Sequence, residues 1–263
     1  MNVNVDVVST AEFEMDYFCF GEGQQPFVII PGLSLLPVTP LAGAVASQYR
    51  SFCKDYRVYL FDRIRKVPQD YTVEQMAAHT ATAMRQVGIS NACLMGCSQG
   101  GMIAQIIAAT EPDLVSKLVL CSTASHPCAT ATRVLGNWVK LAQAGDIAAF
   151  NRDVYKHVYS QAYYDKNEQA FIYAEKLGTP DDIAHFIPLA RACEAFDSRP
   201  LLPRIQCPVL VVGSNIDNVL SGEGSRELAS ILGCDLIMYD EYGHAAYDEA
   251  PDLHDHLHKF FEA

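Results

Sequence analysis

Positive charge is scarce in this chain: 19 Lys and Arg stand against 31 Asp and Glu, for a formal net charge of −12. A field of that sign repels phosphate backbones and anionic lipid, so neither nucleic acid nor a membrane surface is expected as a partner. No apolar run is long enough to span a bilayer. Residues 1–10 alternate Val with Asn and Asp and have neither the basic start nor the apolar stretch of a secretory signal. The expected compartment is therefore the cytoplasm. The nine cysteines include no CxxC pair and no Cys/His spacing that would hold zinc. Cys19, Cys93, Cys97, Cys121 and Cys207 lie in or beside apolar runs, where a thiol behaves as a small hydrophobe. Internal repeats and low-complexity tracts are absent as well.

What is present is an alternation. Short, nearly uninterrupted apolar runs at 27–30, 58–61, 92–95, 118–121, 209–212 and 236–239 have the pattern of strands buried on both faces. Helical periodicity lies between them at 73–87, 102–109 and 225–232, with a last helix at 253–261. Strand and helix in turn predict an α/β fold with a mostly parallel central sheet flanked by helices. Segments 2–8 and 14–19 alternate apolar with polar residues and predict an antiparallel hairpin at the sheet edge.

One interval breaks the rhythm. Between residues 121 and 208 no strand signal occurs, and helical patterns at 132–144, 147–163, 168–177 and 181–196 fill the gap, punctuated by Gly145, Gly178 and Pro180, with Asp146 and Thr179 as caps. Such a stretch is too long for a crossover. It predicts an inserted helical cap, residues 126–196, over a core made of residues 1–125 and 197–263.

The strand at 92–95 runs into Gly96-Cys97-Ser98-Gln99-Gly100-Gly101 and then into a helix, the setting of a G-x-S-x-G nucleophile elbow. Such a turn brings chain segments too close for side chains, which explains the glycines, and it presents the Ser98 hydroxyl beside the positive end of a helix. A tight turn without chemistry would carry the same glycines, so the partners matter. A serine hydroxyl needs a base, and the base an orienting group. His244 follows the strand at 236–239 and precedes the last helix, on the sheet edge that also carries Ser98. His254, His256 and His258 read as solvated positions of that helix, and His79 as a surface or packing residue. For the acid, Asp217 follows the strand at 209–212; Asp240, on the same loop as His244, is its rival. Cys97 points away from Ser98 by strand alternation and reads as structural, and His126 as a capping or surface residue.

Residues 96–101, 208–217 and 243–251 together resemble the α/β-hydrolase superfamily, in particular its capped esterase, lactonase and acyltransferase-like branch. The likeness extends over nearly the whole chain, and the order Ser98, Asp217, His244 agrees with it. It implies an oxyanion hole made by the backbone N–H groups of Gln99 and of Leu33, the latter in Pro31-Gly32-Leu33-Ser34. Two departures stand out: Pro31-Gly32 replaces the common His-Gly, and Asp62-Arg63-Ile64-Arg65 lacks the glycine of the usual Asp-x-Arg-Gly turn.

The resemblance therefore implies a two-step acyl transfer on a small ester or lactone, with no metal or organic cofactor. The aromatics of the insertion, among them Trp138, Tyr155, Tyr159 and Phe171, are expected mainly to pack the cap to the core, while a few line a pocket for an apolar or aromatic acyl group. The same serine could serve acyl transfer, carbon–carbon bond hydrolysis or proline-specific peptide cleavage. A ligand-binding protein that keeps the frame without turnover is the alternative of a different class. A haloalkane dehalogenase is disfavoured, because it needs a carboxylate where Ser98 stands.

Overall fold

A computed structural model describes residues 2–263. Eight strands form one sheet: β1 (Val3–Ser9), β2 (Glu14–Phe20), β3 (Gln25–Ile30), β4 (Tyr56–Ile64), β5 (Ala92–Cys97), β6 (Val115–Cys121), β7 (Val209–Ser214) and β8 (Asp235–Tyr239). Their spatial order is β1-β2-β4-β3-β5-β6-β7-β8. The first two strands form the expected edge hairpin, β2 also runs antiparallel to β4, and every other pairing is parallel.

The strands are apolar on both faces because both faces are covered. Val28, Ile30, Leu94, Leu118, Leu120 and Val211 point into one cluster with α2 (Val73–Gln86), α3 (Gln99–Thr110) and α9 (Gly222–Leu232). Their neighbours Phe27, Ile29, Met95, Cys97, Val119, Cys121 and Val212 face the other cluster, with α1 (Ala42–Gln48) and α11 (Leu253–Glu262). Residues one apart on a strand thus serve opposite layers, as the two-residue repeat requires. Helix α1 has no counterpart among the expected helices: its sequence, Ala-Gly-Ala-Val-Ala-Ser-Gln, buries only Ala42 and Ala46 and carries too few large apolar residues to show a periodicity.

The interval between β6 and β7 holds five helices: α4 (Ala129–Ala144), α5 (Ile147–Val158), α6 (Gln161–Lys166), α7 (Glu168–Ala174) and α8 (Pro180–Glu194). Asp146 caps α5 and Thr179 closes a capping box on α8. The single helix expected over 147–163 is broken at Tyr159 and Ser160. The reason is tertiary: the Val158 carbonyl accepts from the Ala245 N–H at 2.9 Å, and Ser160 turns to cap α6 while its own N–H and hydroxyl donate to Glu249.

The terminal histidines also differ from expectation. His258 stacks on Phe52 at 4.0 Å between ring centroids, and His254 packs on Tyr49 and Phe52, so neither is simply solvated. His79 packs between Phe13 and Tyr71, as a packing residue should. Among the described residues no helix is long and apolar enough to cross a membrane.

Candidate active site

Parallel register brings the carboxyl ends of β3, β5, β6, β7 and β8 to one edge, with Ile30 beside Gly96, Cys97 beside Cys121 and Ser214 beside Tyr239. The segments that follow these strands carry the candidate residues. Ser98 sits between β5 and α3 with φ 52° and ψ −120°, a backbone that L residues rarely adopt. The surroundings hold it there: its N–H donates to the Cys121 carbonyl at 2.9 Å, and its own carbonyl accepts from the Thr123 hydroxyl at 2.8 Å. The glycines are needed sterically. A Cβ on Gly96 would lie 2.4 Å from the Gly100 carbonyl oxygen, and one on Gly100 would lie 2.0 Å from that of Ile30.

His244 and Asp217 come together: Nδ1 lies 2.8 Å from Asp217 Oδ2, and both residues are buried. The other oxygen of Asp217 accepts from the N–H groups of Val219 at 2.7 Å and Leu220 at 2.9 Å. Burial raises the pKa of this carboxyl, but His244 and those two amides outweigh it and hold the group below its ordinary value. A carboxylate with both oxygens engaged by three donors is kept charged and in one orientation, leaving Nε2 as the imidazole atom free for proton transfer. Asp240 does not touch His244; it accepts from the Asn215 side chain.

The Ser98 hydroxyl makes no hydrogen bond to His244 among the described residues, an arrangement common before substrate draws the groups together. The two halves meet through Gly32 and Tyr247 instead. A Cβ on Gly32 would lie 3.2 Å from Ser98 Cβ and 3.7 Å from the Tyr247 hydroxyl, and the Tyr247 ring stands edge-on to His244 at 6.4 Å. The Leu33 N–H has no acceptor within the described residues, and the Gln99 N–H opens α3, where no intrahelical carbonyl can reach it.

A cavity of about 270 Å³ is lined in part by Gly32, Leu35, Arg63, Gln99, His185 and Leu189; it reaches the elbow at Gln99, while Leu33, Ser98 and His244 are not among its lining residues. None of the insertion's aromatics lines it. Tyr155, Tyr159, Tyr163 and Tyr164 instead gather around Phe171 within the insertion, while Trp138, Phe150 and Phe186 are buried in the main core. Cys97 is buried beneath the elbow and His126 pairs with Ser125 and Glu227, so neither faces the cavity.

Several residues of this region carry no motif that sequence reasoning could use. Thr123 is invisible until β6 is placed beside β5. Glu249 accepts from Gly243 at 3.0 Å and from Ser160, joining the histidine loop to the insertion. Arg63 donates to Pro31 and Gln99; its only signal was the altered turn after β4. In this segment β4 continues through Ile64 to pair with Met15, and Arg65 binds Asp16 and Glu14.

A sequence profile of the alpha/beta hydrolase fold matches residues 25–161. Among characterised sequences, the provisionally named carbamate hydrolase RutD of Stutzerimonas stutzeri (strain A1501) is 28% identical over 224 residues, covering 78% of this chain and 82% of that protein. The pimeloyl-[acyl-carrier protein] methyl ester esterase of Neisseria meningitidis is 30% identical over 172 residues, covering 59% and 62%. Among solved structures, MGS-M2, an alpha/beta hydrolase enzyme from a Medee basin deep-sea metagenome library, superposes with a TM-score of 0.87 at 21% identity, covering 98% of both chains. The enol-lactonase of Burkholderia xenovorans LB400 superposes at 0.81 with 21% identity, over 98% of this chain and all of that one.

Proposed function

This chain belongs to the α/β-hydrolase family and is an enzyme of hydrolase type, and from that premise we propose that it is a serine hydrolase cleaving a small carboxylic ester or lactone. In this reading Ser98 is the nucleophile, His244 the general base and Asp217 the acid that orients it. The observation that carries the reading is the buried 2.8 Å bond between His244 Nδ1 and a carboxylate whose other oxygen is held by two backbone amides, on the sheet edge that bears the strained Ser98.

The steps follow from the geometry. Nε2 of His244 takes the Ser98 proton as Oγ attacks the acyl carbon, and the tetrahedral oxyanion is received by the N–H groups of Leu33 and Gln99. The imidazolium returns the proton to the departing alkoxide, leaving an acyl-serine. A water deprotonated by His244 then attacks this acyl group, and Ser98 recovers its hydrogen. Asp217 stays ionised throughout, holding the tautomer with Nδ1 protonated and stabilising the imidazolium. Residues 126–196 act as a cap on the remaining core, and the cavity beside Gly32 and Gln99 receives the acyl part of the substrate. The names of the relatives, a carbamate hydrolase and a methyl ester esterase, favour acyl substrates of this kind.

A fluorophosphonate probe tests the nucleophile. Labelling should vanish in Ser98→Ala and persist in Cys97→Ala, and a folded wild-type protein that resists the probe would overturn the assignment. A panel of short and long acyl esters, aryl esters and lactones then separates hydrolysis from acyl transfer to added alcohols or thiols.

A further inference from the structure

Among the described residues Arg63 is the one charged group fastened directly to both oxyanion segments, and the steps above make no use of it. Its Nε and Nη2 donate to Gln99 Oε1 at 3.2 and 3.1 Å, and Nη2 also donates to the Pro31 carbonyl at 2.8 Å. The Gln99 side chain, 1% exposed, continues the chain of bonds: its Nε2 donates to the Leu189 carbonyl of α8 at 2.7 Å and to Cys193 Sγ at 3.1 Å.

Among the described residues no carboxylate is hydrogen-bonded to or in a salt bridge with this guanidinium. The adjacent Asp62 spends its oxygens on the N–H groups of Val38 and Thr39 and on the Thr39 hydroxyl, while Asp16 is taken by Arg65. Arg63 is half-buried at the cavity wall, and this burial lowers its pKa. What the residue supplies is geometric, since a planar fork fixes two acceptors at once in a way a lysine cannot.

From this network we infer that Arg63 is a positioning residue: it braces Pro31 against Gln99, so that the Leu33 and Gln99 amides keep their spacing, and Gln99 passes the brace to α8. The inference rests on the serine-hydrolase reading. An oxyanion hole is effective because its donors are in place before charge develops. The Pro31–Leu33 segment lies outside helix and strand, and the Leu33 N–H has no acceptor among the described residues. Without the Arg63 bond to Pro31 it would lose its tie to the elbow, and a small displacement of a positioned group costs one to two orders of magnitude in rate.

Steady-state kinetics on the best ester of the panel provide the test, with thermal melting as a check on folding. Arg63→Met should lower kcat by about 10- to 100-fold with KM within about threefold. Arg63→Lys should fall between, because an ammonium holds Pro31 or Gln99 but not both in one plane. Gln99→Met cuts the brace from its other end and should give a similar loss, and the double variant should be no worse than the poorer single one. If Arg63→Met fails to fold, the lysine and Gln99 variants still decide the matter.

An unchanged kcat in a folded Arg63 or Gln99 variant would overturn the brace. So would a rise in KM alone, which would make the guanidinium a substrate-binding group acting through Nη1, the nitrogen without a protein partner. Losses that multiply in the double variant would overturn the coupling. A wild-type protein that turns over no ester and resists the fluorophosphonate refutes the underlying reading instead, so the two failures are distinguishable.

Discussion

The two sides of the site are finished to different degrees. On the side of the proposed base, both carboxylate oxygens of Asp217 are engaged, by His244, Val219 and Leu220, and the histidine loop is tied to the insertion through Glu249 and through the bond from Ala245 to Val158, leaving only His244 Nε2 open. On the side of the proposed nucleophile, the Ser98 hydroxyl and the Leu33 N–H have no protein partner among the described residues, and the Ser98 backbone is strained. Proton handling needs a fixed tautomer, which internal bonds can supply in full. Oxyanion binding needs donors held in place yet unspent, because a donor satisfied by the protein is lost to the transition state.

The comparison breaks most sharply at Asp217. Asp217→Asn keeps the shape but presents an amide to Nδ1, favouring the wrong tautomer, and turnover should fall on the order of 10⁴-fold. Asp240→Asn should leave kcat within about threefold, since Asp240 contacts Asn215 and not the base. Equal losses in the two variants would refute the pairing, and steady-state rates on any accepted ester decide it.

Glu249 gives a smaller effect of a different kind. Glu249→Ala leaves the N–H groups of Gly243 and Ser160 without their acceptor in a partly buried setting. The expected loss is roughly 2 kcal/mol of stability, with a lower kcat because the loop carrying His244 is released. Thermal or urea unfolding beside kinetics checks both. A drop in stability with kcat intact would mean that the Asp217 bond alone fixes the base.

The same asymmetry governs what the sequence could reveal. Ser98 and His244 stand out because the elbow and the loop after the last strand have local signatures, and the central strands because residues such as Phe27, Val28, Ile29 and Ile30 are all apolar when both faces are covered. Asp217 could be ranked above Asp240 by chain order, but only the fold places its carboxylate against the imidazole. The bonds of Arg63 and Thr123, and those of Glu249 to Ser160, were not legible, because each joins segments at least 25 residues apart through groups whose local context is ordinary. The break at Tyr159 and Ser160 has the same origin. Helical periodicity continues across it, and the His244 loop interrupts it from a distance of more than 80 residues.

The smallest effect concerns pH, and it separates the base's side from the packing histidines. Burial depresses the pKa of His79 and His254, the latter helped by His258, so both favour the neutral form when folded. The unfolded chain takes up protons near pH 6.5 that these rings resist in the fold. Their contribution to stability is therefore complete above that value and is lost as pH falls through their lowered folded values. Asp217 is depressed as well, from 3.8, and its contribution disappears only in stronger acid. Melting temperatures should thus begin to decline below about pH 6.5, before the Asp217 carboxylate is touched, and the decline is softened from about pH 6 by Asp248, whose burial raises its pKa to about 6 so that the fold takes up a proton there. His254→Phe, which retains an aromatic ring against Tyr49 and Phe52, should flatten part of that first decline while leaving the lower-pH loss in place. If the variant and the wild type decline in parallel from pH 7 to pH 5, the packing histidines do not govern the first step. The acid sensitivity would then lie with the carboxylates, including the one that orients the base.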